Sequence, residues 1–413
     1  MPDVSVLEVL LHGTAIGTIT RFADDRTLFA FNQAYIEDRQ RPTLGLGFKD
    51  AHGQLITDQQ PTRVKLLPWF SNLLPEGHMR TYLAQRANIH PAREFFVLWV
   101  LGKDLPGAIS IRPADGPAWP PADGGGGAAA GDDRDDRRHD NALRFSLAGV
   151  QLKFSAVSEA AGGLTIPAEG VGGSWIVKLP SREFEGVAEN EFSMMTLAGK
   201  IGMDVPPIRL IDPASIRNLP EGLGTLKGQA LAVERFDRLD GKAVHIEDFA
   251  QVFGAYPDEK YDKASYRNLA RVIGAEASHT DVEEFISRLV FNILIGNADM
   301  HLKNWSLIFP DRRRAALAPA YDFVSTIAYI PDANAALKFS KTKKFDELTL
   351  EELSRLADKA LLPQKLVLDA ARRTVALFHD NWAKEKKNLP MADAVVQAIE
   401  KHIRTIPLAK SQA

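Results

Sequence analysis

The chain has 413 residues, of which 45% are hydrophobic and 25% are charged. That length allows two or three domains around a substantial core, and the composition is typical of an ordinary globular protein. The chain contains no cysteine, which excludes disulfides, thiolate zinc sites and cysteine nucleophiles, and its net formal charge of -3 argues against general nucleic-acid binding. No apolar run approaches the roughly 20 residues of a membrane span, and the N-terminus does not resemble a secretory signal. We therefore expect a cytoplasmic protein without a membrane partner.

Residues 1–114 predict a β-rich N-terminal domain. Apolar runs on both sides of Gly13 favour a hairpin, and residues 27–31 suit a further strand. The later predicted elements are a helix at about 78–86 that follows the segment 69–77, a helix at 93–100 and a closing strand at 107–111. This part of the sequence shows no cluster of catalytic residue types, so we interpret the domain as a scaffold or as the docking site of a partner.

Residues 115–141 differ in kind from the rest of the chain. They combine Trp119-Pro120-Pro121, a run of four glycines at 124–127 and alternating charges at 132–140, without apolar periodicity. Such a composition cannot bury a core. The stretch therefore predicts a flexible linker or a long insertion at a domain boundary.

Two lysines beyond the linker are candidate phosphate contacts. Residues 144–154 contain Gly149 and Lys153, and a short turn there could cover phosphates with backbone amides, although a single glycine is a weak signal for a phosphate loop. Residues 175–180 form an apolar strand that is interrupted by Lys178. A lysine in such a run is more often an edge-strand or snorkelling residue, but in a kinase it is the cation that binds the α- and β-phosphates.

If Lys178 binds phosphates, a helix soon afterwards should present a carboxylate that orients it. The predicted helix opens at Glu189-Asn190-Glu191-Phe192 and ends at Gly202. Glu191 shares the apolar face of this helix, whereas Glu189 lies off that face, so Glu191 is the candidate. The alternative is that both glutamates only interact favourably with the first helical turn.

A further apolar run, 226–236, predicts a strand that ends at Glu234-Arg235-Phe236. Between two lobes, the backbone of such a segment would hydrogen-bond the adenine of a nucleotide while Phe236 provides apolar contact. The alternative is an ordinary strand end.

The sharpest polar pattern follows an amphipathic helix that is predicted from a capping box at Thr280 to near Gly296. The segment reproduces the polar pattern of a protein-kinase site. Asp299 is followed after four residues by Asn304, and an aspartate-phenylalanine pair follows later at Asp322. Asp299 would orient and deprotonate the attacking hydroxyl, while Asn304 and Asp322 would hold magnesium against the phosphates. The alternative is that Asp299 and Asn304 only cap a turn.

The remaining segments are interpreted as packing elements. Residues 305–310 suit a strand, and a second short run at 317–321 leads to Asp322. Residues 348–408 predict successive amphipathic helices without chemistry. The basic clusters at 312–314 and 341–344 are interpreted as solvated loops, and only secondarily as contacts to phosphate or to a DNA backbone.

These strings, in this order, resemble the HipA family of bacterial serine/threonine kinase toxins. The matching segments are 70–77, 107–109, 146–153, 176–180, 233–238, 296–304 and 321–322. The likeness covers nearly the whole chain apart from 115–141, which is unusual for the family. Leu152 is a second departure, since a polar residue is common at that position.

The resemblance implies that Asp299 is the proton acceptor and that ATP and Mg²⁺ are bound, the metal by Asn304 and Asp322. It places the following residues around the nucleotide: Ala148, Gly149, Val150, Gln151, Leu152, Lys153, Lys178, Glu234, Arg235, Phe236, His301, Leu302, Lys303, Asn304, Tyr321 and Asp322. Ser146 corresponds to a serine that family members autophosphorylate, which ejects the loop and silences the kinase.

The resemblance also implies partners. Family members are toxins of type II toxin-antitoxin pairs, and they are neutralised by a small helix-turn-helix partner similar to HipB, whose complex binds operator DNA. Their characterised targets are aminoacyl-tRNA synthetases, which are phosphorylated on a serine so that translation and growth stop.

We therefore predict an α+β fold that is bilobed and kinase-like, with an N-terminal β-rich subdomain and an all-helical C-terminal lobe. The predicted domains are the subdomain 1–114, the linker 115–141, a nucleotide-binding part at 142–238 and a mostly helical lobe with the catalytic loop at 239–413. Two other hypotheses stay open at this point. One is a catalytically idle HipA-like co-repressor that binds antitoxin and DNA, and the other is a small-molecule kinase that uses the same site.

Overall fold

A computed structural model of the chain describes residues 5–86, 88–114, 153–158, 164–166, 173–219, 223 and 225–410. The predicted linker 115–141 and the predicted phosphate-loop residues 146–152 lie outside these ranges. Within the described ranges, no helix has both the length and the apolar character that crossing a bilayer requires.

The N-terminal domain is built on an antiparallel sheet. Its strands are Ser5–Leu11 (β1), Thr14–Arg21 (β2), Arg26–Phe31 (β3), Thr62–Arg63 (β4) and Ile109–Pro113 (β5). They lie in the order β4-β3-β2-β1-β5. The predicted hairpin around Gly13 is confirmed, since β1 pairs with β2 and both His12 and Gly13 have positive φ, as in the tight turns that match the twist of paired strands.

Helices cover this sheet and give the domain a core of its own. They span Gln33–Glu37 (α1), Pro68–Ser71 (α2), Gly77–Arg86 (α3) and Glu94–Leu101 (α4). Phe29 lies at the centre of the core, with ring centroids 4.7 Å from Phe31 and 4.8 Å from Phe70. The buried residues of the domain, from Leu7 to Ile111, form a core cluster of their own, which is what an independent domain requires.

The nucleotide-binding part is a mixed sheet with one long helix. Its strands are Lys153–Ser158 (β6), Leu164–Thr165 (β7), Trp175–Lys178 (β8), Ile208–Ile211 (β9), Ile216–Arg217 (β10) and Ala230–Glu234 (β11), and the helix is Val187–Lys200 (α5). The strand order is β10-β7-β6-β8-β11-β9. Because β8 has a partner on each side, the interpretation of Lys178 as an edge-strand residue is wrong.

The C-terminal lobe is mostly helical, as predicted. Its helices are Phe249–Val252 (α6), Tyr266–Glu276 (α7), His279–Leu294 (α8), Leu350–Ala360 (α9), Gln364–Glu385 (α10) and Asp393–Ile403 (α11). The helix predicted to end near Gly296 is confirmed as α8, although its cap is Ser278 rather than Thr280: the Ser278 hydroxyl accepts a hydrogen bond from the Asp281 amide.

The expectation that this lobe is all-helical needs correction. It also contains the strand pair Arg238–Leu239 (β12) and Lys242–Ala243 (β13), and a sheet of His245–Asp248 (β14), Ser306–Phe309 (β15) and Ala316–Leu317 (β16). The strand predicted at 305–310 is confirmed as β15. It forms because Leu307 and Phe309 are fully buried on one face while the backbone pairs on both sides.

The N-terminal domain docks on this small sheet through a buried carboxyl group. Glu247 in β14 accepts hydrogen bonds from the Leu46 amide at 2.9 Å and from Trp69 Nε1 at 3.0 Å. Two residues earlier in the same strand, His245 Nε2 lies 2.7 Å from the Leu44 carbonyl oxygen. Glu247 is fully buried, and burial raises its pKa to about 8.

We expect this carboxyl group to make folding depend on pH. The pKa of Glu247 is about 8 in the folded chain against an ordinary 4.5, so folding takes up a proton between those values. Its contribution to the free energy of unfolding is therefore complete below about pH 4.5 and is lost as the pH rises towards 8. Between pH 5 and pH 7 the loss should amount to about 2 kcal/mol.

Chemical denaturation of the wild type and of Glu247→Gln over that pH range measures this contribution. The variant cannot take up the proton, so the difference between the two proteins should change by that amount, while contributions from Asp248 and His245 cancel. A pH slope that is the same in both proteins would contradict the assignment.

Candidate active site

Three charged side chains from separate elements meet at one buried point. The Lys178 ammonium at the end of β8 contacts Glu191 Oε1 of α5 and Asp322 Oδ1, which follows β16. Lys178 and Glu191 are only 5% and 4% exposed. Lys153 Nζ approaches the same aspartate at 3.4 Å from Oδ2. The structure therefore joins the sheet, the helix and the segment after β16 through a single cation.

Strand register and helix phase explain this meeting. In the antiparallel pair of β6 and β8, Lys153 lies directly opposite Lys178, so two positive side chains are neighbours on one face. Asp322 lies against both of them. The preference for Glu191 over Glu189 is confirmed, because Glu189 instead accepts a hydrogen bond from the Gln229 amide at 3.3 Å.

The electrostatics of this cluster favour a metal ligand. Burial by itself would raise the pKa of Asp322, but the charges of Lys153 and Lys178 outweigh it and hold that pKa well below its usual range. Burial lowers the pKa of Lys178 less than Asp322 and Glu191 raise it, so the ammonium stays charged. Burial raises the pKa of Glu191. The two lysines therefore keep Asp322 ionised.

The loop after α8 is fastened to Asp322 by Asn297. Gly296 has φ of 68°, and a side chain there would collide with Ile327. The buried Asn297 then accepts a hydrogen bond from the Asp299 amide at 3.0 Å and donates one to the Asp322 carbonyl oxygen at 3.2 Å. One amide side chain therefore sets the spacing between the candidate base and the candidate metal ligand. Asn297 lies within the motif segment 296–304, but its local sequence pattern predicts no role for it.

A second contact closes the same junction. The Ala298 amide donates to Thr326 Oγ1 at 2.8 Å, and Thr326 Oγ1 donates to the Gly296 carbonyl oxygen at 3.2 Å. Asp322 itself adopts φ of 58°, a conformation that L residues other than Asn and Asp rarely take. The loop 296–299 and the segment 322–326 therefore form one interlocked unit.

Asp299 and Asn304 lie on this unit. The Asp299 side chain is exposed, and its Oδ1 accepts a hydrogen bond from the Tyr261 hydroxyl at 2.5 Å. Asn304 donates from Nδ2 to the Asp299 carbonyl oxygen at 2.9 Å, so its Oδ1 is the atom that could bind a metal. Asp322 and Asn304 offer oxygen ligands of the kind that Mg²⁺ prefers, with phosphate oxygens and water completing its shell. The donor set fits magnesium.

His301 provides a neutral polar group beside Asp299. Burial lowers its pKa to about 4, so the imidazole is uncharged at neutral pH. Its Nδ1 is buried and finds no hydrogen-bond partner within the described residues, while the ring packs edge-on against Tyr261 at 5.0 Å. An unpartnered buried nitrogen of this kind fits a site that a polar ligand completes.

The other candidate nucleotide contacts that the structure describes lie in different surroundings. Phe236 and Tyr321 lie together, with ring centroids 5.7 Å apart, and the Tyr321 hydroxyl contacts Ser306 Oγ at 2.6 Å and the Lys303 carbonyl oxygen at 2.9 Å. Leu302 is fully buried in the core of the C-terminal lobe. Glu234 is the last residue of β11, and the side chains of Arg235 and Lys303 point towards the N-terminal domain.

Arg235 is a structural residue of the domain interface in this geometry. Its guanidinium donates to Asp237 at 2.9 Å and to Asp104 at 2.9 Å. The backbone amide of Arg235 donates to the Ser174 carbonyl oxygen at 2.8 Å, and that of Glu234 donates to the Pro207 carbonyl oxygen at 2.9 Å. The amides of Glu234 and Arg235 in the predicted hinge therefore already donate hydrogen bonds within the protein.

Comparisons with known proteins place this chain in a family. A model of the HipA N-terminal domain matches residues 7–112, and a model of the HipA-like C-terminal domain matches residues 145–382. The chain belongs to the HipA family. The bilobed α+β kinase-like fold is therefore confirmed, whereas the assignment of individual site residues stays a prediction.

Three relatives illustrate the range of this likeness. A Sinorhizobium fredii protein named "Putative kinase Y4dM" is 57% identical over 416 residues, 100% of both chains. The serine/threonine-protein kinase toxin HipA of Shewanella oneidensis is 26% identical and covers 98% of this chain and 95% of its own. The solved complex of Shewanella oneidensis HipA, HipB and operator DNA contains a chain that matches with a TM-score of 0.71 at 20% identity, over 98% of this HipA-family chain and 96% of that one.

Glu191 and Glu189 form a matched pair for testing the cluster. Glu191→Gln removes one of the two charges that hold Lys178, so we expect the specificity constant for ATP to fall on the order of 10-fold. Glu189→Gln, two residues away on the same helix, should leave it unchanged. Steady-state phosphoryl transfer at varied ATP concentration measures both. Equal effects of the two substitutions would contradict the role of Glu191.

Proposed function

We propose that this HipA-family chain is an ATP-dependent serine/threonine protein kinase and acts as the toxin of a type II toxin-antitoxin system. One observation carries the proposal. Lys178 pairs with Glu191 and Asp322, and Asn297 links Asp322 to the loop that carries Asp299. A phosphate-binding cation, a metal-binding carboxylate and an exposed base are the parts that phosphoryl transfer from ATP requires.

In the proposed reaction each side chain has a separate task. Lys178 and Lys153 bind the phosphates, and Asp322 with Asn304 holds Mg²⁺. The metal ion neutralises charge on the phosphates when it is bound. Asp299 orients the acceptor serine and takes its proton while the serine oxygen bonds to the γ-phosphorus and the bond to the leaving ADP breaks.

The aromatic pair supports a place for the base of the nucleotide. Phe236 lies two residues beyond the end of β11, its ring packs against Tyr321, and Tyr321 directly precedes Asp322 of the charged cluster. Aromatic and apolar side chains are the usual lining of such a pocket. We propose that adenine contacts these rings and that neutral His301 donates to or accepts from the nucleotide.

The family supports the further parts of the proposal. The solved complex of the Shewanella oneidensis protein contains HipB and operator DNA, so we propose a HipB-like helix-turn-helix antitoxin as the partner, with operator DNA bound through that complex in the cytoplasm. The proposed acceptor is a serine of a translation protein, an aminoacyl-tRNA synthetase. Ser146 is the proposed autophosphorylation site that turns the kinase off, and residues 148–152 the proposed phosphate loop. Both lie outside the described residues.

Asp299→Asn tests the proposal most directly. The amide keeps the shape of the side chain but cannot accept the proton of the acceptor, so transfer of label from γ-labelled ATP in the presence of magnesium should fall at least about 100-fold. Asp380→Asn is the control, because Asp380 is an exposed aspartate of α10 far along the chain from the site. Phosphoproteomics after induced expression of wild type and Asp299→Asn then identifies the acceptor.

Three results would redirect the proposal. Equal transfer by wild type and Asp299→Asn would contradict the role of Asp299. Nucleotide binding without transfer to any acceptor, Ser146 included, would favour an idle co-repressor, and tight operator binding by its complex with the antitoxin would support that function. Transfer to metabolites or sugars without a protein acceptor would favour a small-molecule kinase.

A further inference from the structure

The segment 72–76 of the N-terminal domain lies against the catalytic loop. Glu76 Oε1 is 2.8 Å from Lys303 Nζ, and its Oε2 is 2.8 Å from Lys260 Nζ. Lys303 Nζ also donates to the Asn72 carbonyl oxygen at 3.2 Å. One carboxylate from the N-terminal domain thus binds two cations of the C-terminal lobe.

Both lysines belong to the surroundings of Asp299. Lys303 directly precedes Asn304, whose side-chain Nδ2 donates to the Asp299 carbonyl oxygen. Lys260 directly precedes Tyr261, whose hydroxyl donates to the Asp299 carboxylate. In addition, the Leu302 amide donates to the Lys260 carbonyl oxygen at 3.2 Å. Glu76 therefore holds the loop directly through Lys303, and through Lys260 it holds the segment whose Tyr261 donates to the candidate base.

The backbone that carries Glu76 is itself well held. Asn72 Nδ2 donates to the Ala255 carbonyl oxygen at 2.7 Å, which anchors the segment on the C-terminal lobe. Arg80 donates to the Pro75 carbonyl oxygen at 2.8 Å and to Glu94 at 3.0 Å. A carboxylate on such a support has a defined position, as a positioning group needs.

The charge of Glu76 is permanent at physiological pH. Burial would raise its pKa, but Lys303 and Lys260 outweigh burial and lower the pKa to about 2. The side chain is 34% exposed, and the two lysines are 15% and 19% exposed. Water therefore screens these pairs only in part.

Docking of the N-terminal domain does not depend on Glu76 alone. Glu247 receives hydrogen bonds from Leu46 and Trp69, and Asp104 binds both Arg235 and Arg238. These contacts remain when Glu76 loses its charge. The effect of that loss should therefore be local to the loop around Asp299.

We propose that Glu76 is a positioning residue for phosphoryl transfer, through which the N-terminal domain holds Lys303, Lys260 and hence the catalytic loop in place. The inference rests on the proposed kinase function. Glu76 touches no reacting group within the described contacts, so it acts through the loop. It gives the N-terminal domain, which carries no catalytic cluster of its own, a part in turnover.

Glu76→Gln in the full-length chain tests this role. The amide keeps the size of the side chain but not its charge, so kcat should fall on the order of 10-fold as the loop loses its fixed geometry. The KM for ATP should change less than kcat, because Lys178 and Lys153, the side chains proposed to bind the phosphates, lie outside this loop. Glu76→Asp, which retains the charge, should recover part of the loss.

Asp258→Asn provides a matched control. Asp258 also forms an ion pair between the lobe and the N-terminal domain, with Lys65 Nζ at 3.1 Å, but among the described residues it forms no ion pair or hydrogen bond with the catalytic loop. The kcat of the Asp258→Asn variant should equal that of the wild type. A Glu76→Gln enzyme with wild-type kcat, or an equal loss in both variants, would overturn the proposal.

Hydrogen–deuterium exchange separates this inference from the kinase assignment. Peptides that cover 296–304 should exchange several-fold faster in Glu76→Gln than in the wild type or Asp258→Asn. Unchanged exchange in this loop would overturn the positioning role even if kcat fell. A wild type without transfer activity would overturn the kinase assignment, while the exchange rates would still decide whether Glu76 holds the loop.

Discussion

The Lys178 ammonium group lies where water hardly reaches it, and a buried charge is tolerated only when it is paired. Its two partners, Glu191 and Asp322, come from α5 and from the segment after β16. Satisfying this one cation therefore brings both lobes to the same point. The apolar side of α5 continues into the core of the C-terminal lobe through Met194 and Met195, so packing and charge pairing require the same arrangement.

The N-terminal domain contacts the other two parts of the chain close to the candidate site. It binds the connection between the lobes through Asp104, which pairs with Arg235 and Arg238, and it binds the catalytic loop through Glu76. A kinase fold with these contacts has less freedom to open and close about its hinge than one without them.

Much of this site follows from local sequence patterns. A single lysine inside an apolar strand, a helix with one glutamate on its apolar face and an aspartate after a capped helix are local features, because side-chain spacing fixes which residues share a face. That is why the strand that carries Lys178, the pairing of Glu191 with that lysine and the strand β15 could be predicted from the sequence, whereas the part of Lys178 in nucleotide binding stays a prediction. The sheet in the C-terminal lobe was underestimated since its strands are short and pair only with distant segments.

By itself, the sequence determined which residue types are available and on which element each lies. Only the tertiary structure decided where their side chains point. Asn297, Tyr261 and Glu76 acquire their roles from partners that are distant in the chain, and Lys303 contacts Asn72 across 231 positions. Arg235 and Lys303, which the motifs place at the nucleotide, turn towards the N-terminal domain because Asp104 and Glu76 offer charges there. Local spacing carries no information about such partners, since they meet only when separate domains pack.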